Sequence, residues 1–318
     1  MLKRIVLSLL VLVLVVVAGG AAWWFWLRDG AQVAERPDIP FAPLVDESIQ
    51  DPDNPAKVFR VDFARVEHEF PLSRVDLMEL TPANLRALSQ EEIDQIYGRL
   101  TAGPIPDGPY RGDLFFARGD SLRARLDEIL GGIGGRIAGT KIELVETLGR
   151  TLWKGKIFYR DQLMLRNFIE DLEPIRPLVD DADTLMTAEV PRGGLLGWII
   201  PTTTVWQLFP AKLYCGQSLL DGRRESVIID YFYTDELDGY RESPDSLAGR
   251  GGLRVRDEIR MIRPGFYLGR AYANRMFLLN FTLYNPEIAD ERAEAFAEGE
   301  PLAEDCWTGE QVRRAAAG

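Results

Sequence analysis

An α+β domain, built on a mainly antiparallel curled sheet or barrel of about eight strands, is what this sequence predicts behind an N-terminal transmembrane helix. Three observations carry that expectation. Residues 5–27 contain no charged side chain. Through the second half, short apolar–polar alternations lie between tight-turn signals, as in strands with one buried face. Helix signals, in contrast, concentrate in the first half, which predicts helices packed on the sheet from that side.

The apolar run comes first. At about 1.5 Å per residue it is long enough to cross roughly 30 Å of hydrocarbon. It closes on Trp23, Trp24, Phe25 and Trp26, whose rings favour the headgroup level. Lys3 and Arg4 precede it, while Arg28 is offset by Asp29, so the positive bias sets the N-terminus in the cytoplasm. Residues 1–30 are therefore read as a single-pass anchor, with the lipid bilayer as partner of residues 5–27. The domain behind it is then extracytoplasmic, periplasmic in a bacterium. A cleavable signal peptide is the competing reading, with Ala18-Gly19-Gly20-Ala21-Ala22 offering a processing site. Both readings export the domain, and cleavage would leave four exposed aromatic residues, which favours retention.

Charge and cysteine usage bound the function. The 318 residues carry 49 acids against 37 Lys and Arg, a net charge of −12. Such a field repels phosphate backbones, so nucleic acid is excluded as a partner. Cys215 and Cys306 allow a disulfide tying the tail to the sheet, or two unrelated thiols. With no C-x-x-C pair and a single histidine, thioredoxin-like chemistry and the common zinc sites are excluded. No metal and no cofactor is expected.

Residues 31–57 hold Pro37, Pro40, Pro43, Pro52 and Pro55 among acids and read as an extended tether. The exported domain spans 58–285. Residues 58–66 alternate, with Phe59, Val61 and Phe63 on one side and Arg60 and Asp62 on the other, which predicts a strand. Ser89-Gln90-Glu91-Glu92 is a capping box opening a helix whose apolar positions are Ile93, Ile96, Tyr97 and Leu100. That helix stops at Ala102-Gly103-Pro104, and a Pro/Gly-rich turn leads to a strand at 112–117. Asp120 caps a further helix with Leu122, Leu126, Ile129, Ile133 and Ile137 in period. Glycines between 131 and 139 soften it, and Ile142, Val145, Leu148 and Leu152 continue as one long helix or two packed ones. Residues 151–160 predict a strand with a charged face.

Beyond residue 209 the turns are explicit. Asp221-Gly222 predicts a two-residue type I′ hairpin, pairing Gly216 with Val227, Tyr214 with Ile229 and Lys212 with Tyr231 on one face. Its other face pairs Cys215 with Ile228 and Leu213 with Asp230. Arg263-Pro264-Gly265 joins a strand at 253–262 to one at 266–272. Ala273-Asn274-Arg275 leads into a last strand, 276–284, on which Phe277, Leu279, Phe281 and Leu283 share a face. Residues 286–318 form an Ala/Glu-rich surface helix and tail.

For chemistry the candidates are few. His68, the only histidine, lies between Glu67 and Glu69 without a nucleophile motif, so a solvated role is expected. The glycines at 131–139 follow a helix, where a phosphate cradle needs a preceding strand. Asp230 and Asp257 sit among apolar strand neighbours and are the candidate catalytic carboxylates; pairing with Arg254, Arg256, Arg260 or Arg270 is the competing reading. Trp153, Tyr214, Tyr231, Tyr233 and Tyr267 are the candidate ligand-lining aromatics, although a packed core uses the same residues. The leading expectation is a membrane-tethered domain binding an apolar or amphipathic, lipid-like ligand. A pocketless envelope interaction protein and a carboxylate-dependent hydrolase are the alternatives.

Overall fold

Antiparallel strands dominate the computed structural model, which describes residues 35–44, 61–118, 153–192 and 201–309. In chain order they are β1 (Gly108–Phe115), β2 (Trp153–Tyr159), β3 (Met164–Ile169), β4 (Thr187–Pro191), β5 (Thr202–Gln217), β6 (Glu225–Asp230), β7 (Val255–Arg263), β8 (Phe266–Ala273) and β9 (Met276–Tyr284). Their order is β3-β2-β1-β9-β8-β7-β6-β5-β4, and β3 also pairs with β5. That extra pairing closes eight strands into an antiparallel barrel, which removes the free edges an open sheet would expose. β5 is long enough to serve twice: residues 202–206 hold β4, while residues 206–212 hold β3.

The lumen is filled by side chains. Phe158, Leu165, Leu213, Ile229, Ile259, Tyr267 and Phe281 are among the buried residues that meet there. Packing is close enough that a Cβ on Gly269 would lie 2.2 Å from the Phe281 ring, so only glycine lets that ring cross β8.

A helical layer covers the outside of β7 and β8. It comprises α1 (Phe63–Glu69), α2 (Arg74–Glu79), α3 (Pro82–Leu85) and α4 (Gln90–Arg99); α5 (Glu242–Asp245) and α6 (Pro286–Ala297) lie elsewhere on the barrel. The capping box of α4 forms as expected, with Ser89 Oγ accepting from the Glu92 amide and Glu92 accepting from the Ser89 amide at 2.8 Å. Ile93, Ile96 and Tyr97 then pack on Ile262, Phe266 and Leu268. Ser89→Ala removes one of those acceptors and is expected to cost about 1 kcal/mol in urea unfolding; a change below 0.3 kcal/mol would show that tertiary packing alone holds the helix start.

Several sequence expectations are corrected. Residues 63–69 are helical where a strand was predicted over 58–66: the Asp62 carboxylate accepts from the Arg65 amide at 3.1 Å and starts a helix. Phe63 then covers Gly98 on α4, and Val66, one turn on, is buried. The strand expected at 112–117 runs instead over Gly108–Phe115.

No two-residue turn forms at Asp221-Gly222. Cys215 pairs with Val227, Tyr214 with Ile228 and Lys212 with Asp230, one residue out of the predicted register, leaving residues 218–224 as a loop. Two forces decide this. The observed register puts Leu213 opposite Ile229 inside the barrel, where the predicted one would oppose Leu213 and Asp230. Fully buried Arg260 also gathers the loop, donating to the carbonyls of Asp221, Arg224 and Tyr97 at 3.0 Å each.

The turns at 263–265 and 273–276 form as expected, with Gly265, Asn274 and Arg275 in the left-handed region. Phe277 does not share a face with Phe281. A bulge pairs Tyr272 with Phe277 but Ala271 with Leu279, so Phe277 packs beside Tyr272 and Arg270 on the helix side.

The expected C-terminal helix is α6, capped by Asn285. Part of the stretch read as a tether is held down: Ile39 is buried with the helical layer, and Arg99 donates to the Pro40 carbonyl at 2.8 Å. The predicted anchor at 5–27 and helical stretch from Asp120 to Leu152 lie outside the described residues. Among the described residues no helix is long and apolar enough to cross a membrane.

Candidate functional site

Of the predicted site residues, three meet inside the barrel. Asp257, Tyr231 and Trp153 converge on Lys156, whose ammonium donates to Asp257 Oδ2 at 2.9 Å, Tyr231 Oη at 2.5 Å and Asn167 Oδ1 at 2.9 Å. Trp153 Nε1 also donates to Asn167 Oδ1, at 2.8 Å, and Asn167 Nδ2 donates to Tyr231 Oη at 2.8 Å. The rings of Trp153, Tyr231 and Phe281 each lie within 5.4 Å of the ammonium.

The remaining candidates are elsewhere. Tyr214 and Tyr233 are exposed on the outer surface, where Tyr214 donates to Asp230 at 2.6 Å and Tyr233 lies under Lys212. Tyr267 is buried at the far end of the lumen. Asp230 therefore faces out while Asp257 faces in, and Asp257 is held by a lysine where an arginine was the expected partner. The two carboxylates do not form a catalytic pair.

Lys156 and Asn167 were not legible as site residues. Residues 151–160 alternate so as to place their lysines on a solvated face, but a register shift between Trp153 and Gly155 turns Lys156 inward. Burial pulls the lysine down, yet the Asp257 carboxylate and Tyr231 hydroxyl outweigh it and hold the ammonium above its ordinary value. Asp257 is raised by burial against the opposing pull of Lys156. All three ammonium protons are committed, so Lys156 is neither nucleophile nor base, and the cluster closes on itself.

A second place is open. At the opposite mouth of the barrel a groove of about 360 Å³ runs between residues 104–107, the turn at Pro264-Gly265, α6 and residues 300–303. Tyr110, Met261 and Tyr267 from the strands and Ile288 and Phe296 from α6 form its apolar walls. Local bonds hold this shape. Tyr267 donates to the Pro104 carbonyl at 2.8 Å, and the carboxylates of Glu304 and Asp305 accept from the amides of Gly103 and Ile105. Asp305 is also gripped at both oxygens by Arg160, at 2.9 and 2.7 Å. The adjacent tail is tied to β5 by the Cys215–Cys306 disulfide, with Cα atoms 5.3 Å apart.

Cys215, Glu225 and Cys306 lie close enough to suggest a cation site, but both sulfurs are spent in that disulfide. Fold and groove together define a closed antiparallel barrel with a filled lumen and a ligand-sized groove at one mouth. No family model, curated protein or solved structure matches the chain.

Proposed function

We propose that this protein is a membrane-tethered, extracytoplasmic binding barrel that seats an apolar or amphipathic, lipid-like ligand at its mouth. The groove carries the reading: its volume of about 360 Å³ falls in the range of small-molecule sites, and its walls are chiefly aromatic and aliphatic. The filled lumen moves the seat from the barrel interior, where such a ligand was first expected, to the mouth. The uncharged run at 5–27, with Lys3 and Arg4 before it, supports an address outside the cytoplasm and near lipid. The disulfide supports the same address, since such bonds persist in oxidising compartments.

Magnitudes favour a chain over a small headgroup. Each buried methylene contributes about 0.8 kcal/mol, while association costs on the order of 4 kcal/mol or more. Only a ligand burying roughly six or more methylenes gains a useful surplus. In a homologous series of alkyl probes, affinity is therefore expected to rise about fourfold per methylene until the groove is full. Solvent extraction of protein purified from its native membrane, followed by mass spectrometry, should recover a lipid; Ile288→Arg, which puts a charge in the groove wall, should abolish recovery. An empty wild-type protein with no chain-length dependence would instead favour a packed barrel working through its surface.

A further inference from the structure

We infer, resting on the groove as the binding site, that the ligand presents a neutral carbonyl oxygen, that of an ester, amide or ketone, to the hydroxyl of Tyr110. Tyr110 lines the groove and is only 3 % exposed. Its ring is wedged edge-on between Phe158 and Tyr267, at 5.5 and 5.7 Å, which fixes its position. The hydroxyl has no hydrogen-bond partner among the described residues, whereas the neighbouring Tyr267 hydroxyl is committed to Pro104. A ligand filling the groove would cut this hydroxyl off from solvent, and a hydroxyl buried without a partner is costly, so a polar atom arriving with the ligand is favoured there.

Apart from the half-exposed guanidiniums of Arg160 and Arg292, the groove is poor in donors. Pro104, Pro106, Pro264 and Pro301 line it without N–H groups, and the amides of Gly103 and Ile105 are already taken by Glu304 and Asp305. A polyhydroxylated ligand would find few partners. Burial, reinforced by the Asp107 charge, raises Tyr110 well above the ordinary tyrosine value, so the hydroxyl stays protonated and donates. An anionic head is disfavoured as well. Arg160 is paired with Asp305 and Arg292 faces Glu300 at 3.7 Å, while Asp107 adds a further negative charge to the lining. What remains is an apolar chain with an uncharged acceptor, as in a neutral acyl lipid.

Equilibrium dialysis with labelled methyl decanoate, decanoate and decane tests this on the full chain and on Tyr110→Phe, which keeps both ring contacts. The wild type should bind methyl decanoate at least tenfold more tightly than decanoate, and Tyr110→Phe should weaken the ester five- to tenfold while leaving decane unchanged. Equal ester affinity in the two proteins, tighter binding of decanoate, or an equal loss for decane would each overturn the inference and leave the groove reading standing. If the wild type binds none of the three probes, the groove reading falls and takes the inference with it. Should Tyr110→Phe not fold, the infrared carbonyl stretch of ester bound to the wild type decides: a shift below its value in hydrocarbon supports the hydrogen bond, and no shift refutes it.

Discussion

Lys156→Met is expected to destabilise the barrel by about 3–5 kcal/mol, the usual loss when one member of a buried ion pair is removed. The side chains of Lys156 and Asp257 are 3 % and 7 % exposed, so methionine would leave a carboxylate inside the lumen with no counter-charge. Lys156→Met/Asp257→Leu should recover most of the loss, since filling the space with apolar atoms removes the stranded charge. Urea unfolding of the two variants at pH 7 measures both effects. A single-variant cost below 1 kcal/mol would mean that water reaches the cluster.

The pH dependence has a definite sign. Asp257 has a raised folded value, so its contribution is most favourable below the unfolded carboxyl range and is lost as pH rises through the folded value. Without Lys156 that value rises further, and the deficit of Lys156→Met should be smaller at pH 4 than at pH 7. Lys156 itself is raised, and burial pushes Tyr231 up to about 12 despite the opposing Lys156 charge. Both contribute stability that is full below their unfolded values and lost as pH rises through the folded ones. Wild-type stability should therefore fall above about pH 10, by up to roughly 1.4 kcal/mol per unit for each such group. A flat profile from pH 8 to 11 would contradict this.

Opening the Cys215–Cys306 bond, by reduction or by Cys306→Ser, is expected to cost about 2–5 kcal/mol, because the bond closes a separation of 91 residues. Its second effect is local. Residues 300–303 form one wall of the groove, and Glu304 and Asp305 hold the opposite wall through Gly103 and Ile105. Releasing this tail should weaken methyl decanoate binding at least tenfold under conditions where the barrel remains folded by circular dichroism. Unchanged binding after reduction would show that the carboxylate contacts suffice without the covalent tie.

Much of the secondary structure was legible because its causes are local. Ser89 and Glu92 satisfy each other across three residues, and Asn274 and Arg275 turn the chain within one step. Alternation marked β7, β8 and the extent of β9 for the same reason. Where the reading failed, a distant partner decided the outcome. Arg260 reaches from β7 to gather residues 218–224, and Phe63 answers to Gly98 on another helix. The bulge that turns Phe277 away from Phe281 depends on the pairing of β8 with β9.

The site shows the same division. Trp153, Tyr231 and Asp257 stood out because large aromatics and an acid among apolar neighbours are conspicuous in any strand, and the structure gathers them around Lys156. Lys156 was missed because a one-residue bulge, invisible in composition, inverts its face. The groove was missed because its walls come from residues 104–110, 261–267, 288–296 and 300–303, which no local period relates.

By itself, then, the sequence determined an acidic chain with a mainly antiparallel curled sheet or barrel of about eight strands and helices drawn from its first half, since alternation, caps and turns act over a few residues. Tertiary structure alone decided that β3 closes on β5, that the lumen is filled around Lys156, and that an apolar groove lies at the mouth. Those outcomes depend on packing between segments far apart in the chain, where the register of one strand is set by the side chains of another.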